Sequence, residues 1–226
     1  MTNNAFAKTG FALCLLSLVV VPAMARDRYE FTPREPSLKQ PGHWEWAWDG
    51  EDGLGIGLVG ATVHYVPKGP ARIVITGPDE ALERVRVGQG QVRWCEECHA
   101  VKGLDVTVSG VVLHHVALGG ADINIQLGRL DQDRLHLALA GTGEIDAGGR
   151  VERVDISIAG SGNIRMDDAK VERANINIAG SGDVTVTPRE EANVHVAGSG
   201  HIHMTAMPAR LNQSITGSGG VRVVQN

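Results

Sequence analysis

In the C-terminal half of the chain, apolar residues recur at every second position, in pairs of short runs separated by the same three-residue turn. The turns are Gly141-Thr142-Gly143, Gly160-Ser161-Gly162, Gly180-Ser181-Gly182, Gly198-Ser199-Gly200 and Gly217-Ser218-Gly219. Counting back from each first glycine, the second residue is Leu139, Ile158, Ile178, Val196 or Ile215 and the fourth is Leu137, Ile156, Ile176, Val194 or Gln213. The sixth is Leu135, Val154, Ala174, Ala192 or Leu211. Counting forward, the fourth is Ile145, Ile164, Val184, Ile202 or Val221, and the sixth is Ala147, Met166, Val186, Met204 or Val223. Gln213 alone among these positions is polar. A spacing of two on both sides of the turn predicts two strands, each with one buried face; a helix needs a spacing of three and four. Glycine permits the positive φ of a sharp corner.

Successive first glycines stand 19, 20, 18 and 19 residues apart, a period that marks a solenoid of stacked units. One unit cannot bury its apolar face alone. Parallel stacking about 4.8 Å apart produces a continuous Ile/Val core. The fold class is therefore all-β: a single-domain parallel β-helix with coils of about 19 residues turning at Gly-Ser/Thr-Gly. Stacking also aligns His136, Asp155, Asn175, Asn193 and Asn212, five positions before each glycine, as a ladder of side-chain hydrogen bonds. Upstream, 104–110 and 121–127 alternate like degenerate coils, with 72–76 and 84–87 as strands before them. Gly55-Ile56-Gly57-Leu58-Val59-Gly60 formally matches a dinucleotide fingerprint, but the next segment, 61–66, reads as a strand where that motif requires a helix. A turned β connection is the simpler expectation there.

The first 25 residues read as a signal peptide. Lys8 supplies the positive region, 10–21 is apolar, and Ala23-Met24-Ala25 is a cleavage pattern ahead of Arg26. The apolar run is too short to span a bilayer, and Cys14 lies too early in it for a lipid anchor. Residues 26–60 form an extended, Pro-rich leader and N-terminal cap, and 61–226 the β-helix. The expected product is exported, periplasmic or at the cell surface, without a transmembrane anchor in the mature chain. The net charge of −5 becomes −6 once Lys8 is removed, which argues against a nucleic-acid partner. Abundant glycine (29) with only 4% aromatic residues suits tight turns and narrow layers.

Four groups of residues carry possible chemistry. Cys95-Glu96-Glu97-Cys98-His99 admits a disulfide, a metal site or c-type haem attachment, with the disulfide the simplest for a link between β segments. His201 and His203 share a strand face and His195 lies on the outward face of the neighbouring strand, a candidate zinc or copper site whose default reading is solvated histidine. Trp44, Trp46 and Trp48 alternate. They either close the N-terminal end of the solenoid or stack on sugar rings, and closure is favoured because a terminal coil exposes an unpaired edge. The turn serines recur in every coil without a consistent His or carboxylate partner, so no catalytic residue and no cofactor is assigned.

The SIAGSGNI, NIAGSGDV, HVAGSGHI and ITGSGGV units, preceded by Ile73-Val74-Ile75-Thr76-Gly77 and Pro78-Asp79, resemble the auto-transporter adhesin head domain family, also called the head GIN domain. The likeness covers roughly 61–226. It implies a parallel β-helix, taken as right-handed, in exported bacterial proteins, and no established catalytic residues. The function expected is a non-enzymatic envelope protein, an adhesin-like binding or scaffold module whose partner is an envelope protein or polysaccharide. The alternatives are a carbohydrate-active β-helix enzyme, which needs clustered acids, and a haem or redox carrier through Cys95, Cys98 and His99. The last coil shows no capping element after Val221-Arg222-Val223, which predicts end-to-end self-association.

Overall fold

The runs on either side of each Gly-Ser-Gly turn form strands that stack in parallel on their counterparts in the next coil. The structure is a computed structural model and describes residues 31–50, 52–95 and 98–224; the expected signal peptide lies outside them. It is a β-solenoid in which all fourteen strands of the described residues join one hydrogen-bonded system, with a single short helix, α1 (Asp79–Leu82). The long strands β9 (His115–Gly160), β10 (Asn163–Gly180) and β11 (Val184–Gly198) run around the corners of successive coils. Shorter strands β12 (His201–Met204), β13 (Arg210–Gly217) and β14 (Gly220–Val223) complete the C-terminal end.

Register follows the glycines. Gly160, Gly180, Gly198 and Gly217 stack on one another, as do Ile158, Ile178, Val196 and Ile215. At each corner the serine N–H donates to the carbonyl of the first glycine one coil below: Ser181 to Gly160 at 2.9 Å, Ser199 to Gly180 at 2.9 Å and Ser218 to Gly198 at 3.0 Å. The uneven period is absorbed elsewhere. Between β9 and β10 the register shifts between Arg165 and Ala169, and between β10 and β11 it shifts on both sides of Val171. Insertions and deletions thus collect at the corner opposite Gly-Ser-Gly, where charged side chains face solvent, and the inward columns stay in phase. A slip of one residue would turn every Ile and Val outward.

The N-terminal coils are stacked out of chain order. Strands β3 (Gly53–Gly57) and β4 (Ala61–Val66) form a coil that lies between the β9 coil and a coil made of β7 (Gln91–Trp94) and β8 (Leu104–Ser109). Residues 53–57 fall within the expected leader and cap, yet Leu54, Ile56 and Leu58 are buried in the continuous core and Gly53, Gly55 and Gly57 alternate outward.

Antiparallel strands cover the open edges at this end. β6 (Val85–Gly88) pairs with β7. β5 (Arg72–Thr76) pairs with β8, β2 (His43–Ala47) with β5, and β1 (Leu38–Gln40) with β2. Trp44 and Trp46, on the inward face of β2, are 8% and 3% exposed and close that end of the core, and Trp48 packs against it. The Trp46 Nε1–H donates to the Arg34 carbonyl at 3.1 Å, and the Lys39 ammonium lies 4.0 Å from the Trp44 ring centroid.

Candidate functional site

Each coil presents three outward surfaces, and their chemistry differs sharply. The strand after the turn and the corner opposite it carry the charge. Arg165 pairs with Glu144 and Asp146, Arg173 with Glu190, Arg189 with Glu172 and Arg210 with Glu191. The outward face of the strand before the turn carries almost none. Its residues one before the glycine are Ala140, Ala159, Ala179, Ala197 and Thr216, and those three before are Ala138, Ser157, Asn177, His195 and Ser214. The register of β3, β7 and β9 continues these columns through Ala117 and Gly119, then Gly55 and Gly57, then Gln91 and Arg93.

These columns form one trough along the solenoid axis. Two hollows of about 420 and 460 Å³ lie in it, one over Ser157 to Ser214 and one over Gly53 to Ala140. Small side chains at the floor let the backbone of successive coils stand close to solvent. Neither Asp, Glu nor Lys lines either hollow. The one formal charge, on Arg93, lies over the Phe31 ring at 3.6 Å.

A polar rail borders the trough. The Asn175 Nδ2–H donates to Asp155 Oδ1 at 2.6 Å, Asn193 to Asn175 Oδ1 at 3.0 Å and Asn212 to Asn193 Oδ1 at 2.9 Å. His136 continues this rail beside His115, with ring centroids 5.8 Å apart. Burial pushes the His136 imidazole below its ordinary 6.5; the carboxylate of Asp155 opposes this and a charge on His115 adds to it. Under acid the unfolded chain takes up a proton at His136 that the folded chain resists, so stability falls as pH drops through 6.5 and levels off below the folded value. Urea midpoints at pH 7.5 and pH 5 are expected to differ less in His136→Gln than in the unaltered protein.

The acidic side chains that a glycoside-cleaving or polysaccharide-eliminating site would draw upon have other partners. Asp155 holds the rail and Glu144 and Asp146 hold Arg165, while Asp183 Oδ1 accepts the His201 backbone N–H at 2.8 Å. His201 and His203 stack on β12 with ring centroids 6.4 Å apart, whereas His195 faces the trough from β11, before the turn. Among the described residues no three His, Cys, Asp or Glu side chains converge on a common metal position. Cys95 and Cys98 are joined as a disulfide with Cα atoms 5.3 Å apart. Trp44 and Trp46 pack into the N-terminal core and also line a hollow of about 300 Å³ with Arg34, Lys39 and Arg86. The trough is the feature that a residue-by-residue search of the sequence misses. Its signal is an outward column that stays small and uncharged through every coil.

The family model described as "Putative auto-transporter adhesin, head GIN domain" matches residues 66–208. The chain belongs to the head GIN domain family. Its fold is similar to that of a crystal structure described as a "putative adhesin" from Bacteroides fragilis, with a TM-score of 0.63 at 17% identity over 80% of this chain and 96% of that one. A "putative lipid binding protein" from Parabacteroides distasonis gives a TM-score of 0.49 at 19% identity over 81% and 97% of the two chains. A "putative adhesin" from the same organism gives 0.47 at 17% over 80% and 96%. No curated protein matches the sequence. Membership suggests an exported or surface protein that binds some partner in the envelope. Among the described residues of this head GIN domain, no helix is long and apolar enough to cross a membrane.

Proposed function

We propose that this head GIN domain is a non-enzymatic binding module of the cell envelope, exported to the periplasm or the cell surface, and that the trough is its binding face. The observation that carries this reading is the small-residue trough, lined by no Asp, Glu or Lys, that lies along the stacked coils in a family of adhesin description. Two of the three surfaces are laced with ion pairs, as expected of solvated faces. The third keeps its floor mainly at alanine and glycine, and each of the last four coils sets one polar side chain above it, at Ser157, Asn177, His195 and Ser214. Coils repeat every 4.8 Å or so, so an extended, uncharged polymer lying along the axis meets a hydrogen-bonding group at each of these four steps. The short Ser157 and Ser214 side chains lose little conformational entropy when they are ordered.

A bulky charge in the floor should abolish such docking while leaving the core untouched. Ala159→Arg and Ala179→Arg, both at outward positions, are expected to lower binding to the preferred ligand on an array of envelope polysaccharides and peptides by at least about tenfold, the scale of a disrupted interface centre. Thermal midpoints should move little. Retained binding by both variants would place the binding face elsewhere, and release of cleaved product from any ligand on the array would make the protein an enzyme.

A further inference from the structure

The two ends of the solenoid are finished differently. At the N-terminal end, β6 covers β7, the strands β5, β2 and β1 extend outward from β8, and the Arg34 N–H donates to the Val87 carbonyl at 2.8 Å on the outer side of β6. The last strand there, β1, is short, and Lys39 occupies its middle, both features that discourage edge pairing. At the C-terminal end β13 pairs only with β11, and β14 only with β12. Their outer edges have no strand partner among the described residues. Leu211, Ile215, Val221 and Val223 pack against the core from one side and are partly exposed on the other.

We infer that this open coil docks a second copy of the same chain about a two-fold axis through the Gly217-Ser218-Gly219 corner. Chain direction and register support this. β13 runs into the corner and β14 runs out of it. A two-fold axis through the corner therefore lays β13 antiparallel on the β14 of the second copy, and β14 on its β13, filling both free edges at once. Residues equidistant from Ser218 become partners. Ile215 then meets Val221 of the second copy, both packed against the core of their own copy, so the cores meet there, while the exposed Gln213 meets Val223. Thr216 meets Gly220 and Ser214 meets Arg222, all outward.

A register displaced by one residue would set inward side chains against outward ones. Arg210 and Arg222 are the only charged residues in 205–224, and this register places neither against the other. A specific interface uses roughly 20–30 residues a side, and the final coil supplies about the lower figure. The covered N-terminal end makes the assembly a closed dimer instead of a filament.

The test follows from the position of the axis. Antiparallel neighbours at Ser218 would have Cα atoms about 4.5–5.5 Å apart, within the range a disulfide spans. In Ser218→Cys, oxidation is expected to trap a covalent dimer at least about tenfold faster than in Ser181→Cys, which has the same corner geometry two coils inside. In light scattering the unaltered chain should pass from monomer to dimer with rising concentration and stop there. Ile215→Arg should raise the dissociation constant at least about tenfold, with circular dichroism reporting an intact solenoid. A monomeric mass throughout, growth past the dimer, or equal trapping in the two cysteine variants overturns the proposal.

Discussion

Replacing Gly180 with alanine is expected to cost on the order of 4 kcal/mol, from backbone strain and overpacking together, a large share of the roughly 5–15 kcal/mol that holds a domain folded. Gly180 sits at a φ of +137°, which side-chain-bearing residues rarely adopt, and a Cβ there would collide with the carbonyl oxygen of Gly160. That carbonyl accepts the Ser181 N–H at 2.9 Å, so it cannot turn aside without breaking the corner ladder. The constraint acts in both directions along the stack, because Gly198 meets the Gly180 carbonyl in the same way. Ser181→Ala is the control. The Ser181 side chain is exposed and its corner hydrogen bond is made by the backbone, so the loss should stay within about 0.5 kcal/mol. Urea unfolding followed by circular dichroism separates the two; a Gly180→Ala midpoint equal to that of Ser181→Ala would show that the corner yields.

The same corners explain which parts of the fold were legible in the sequence. From Leu135 onward every coil contains two alternating runs around a glycine turn, and the stacking partner of each residue is its counterpart one period away. The N-terminal coils carry no such address. Period-two alternation shows which face of a strand is buried but leaves its neighbour open, so nothing in Ala61–Val66 indicates that it lies between β8 and β9. β3 was harder still. Its outward positions are glycines, and Gly53-Leu54-Gly55-Ile56-Gly57 resembles a turn until Leu54 and Ile56 are seen in the core.

The candidate site was legible only in part. Motif-bearing residues attract attention, yet Cys95, Cys98, Trp44 and Trp46 are committed to the disulfide and to the N-terminal core. The trough is built from alanine, serine and glycine, which carry no chemical signature one at a time. It emerges when the outward columns are compared between faces, and that comparison requires the register.

A solenoid is stabilised through contacts between neighbouring coils, so the cost of a truncation should depend on where in the stack it falls. Ile176 is fully buried, with Ile156 below it and Val194 above. Ile176→Ala is expected to cost about 4 kcal/mol, because both neighbours are tied into strands and cannot close the void. Ile215 has Val196 on one side only and is partly exposed. Ile215→Ala should cost about 1 kcal/mol or less, since water already reaches much of the surface that is lost. The comparison belongs at low protein concentration. If two open coils dock, association stabilises the unaltered chain by mass action and Ile215→Ala forfeits that increment, so its apparent cost should grow as concentration rises. The cost of Ile176→Ala should grow much less, because its void remains the same in monomer and dimer. Equal costs for the two substitutions at every concentration would mean that the last coil is as enclosed as the middle one.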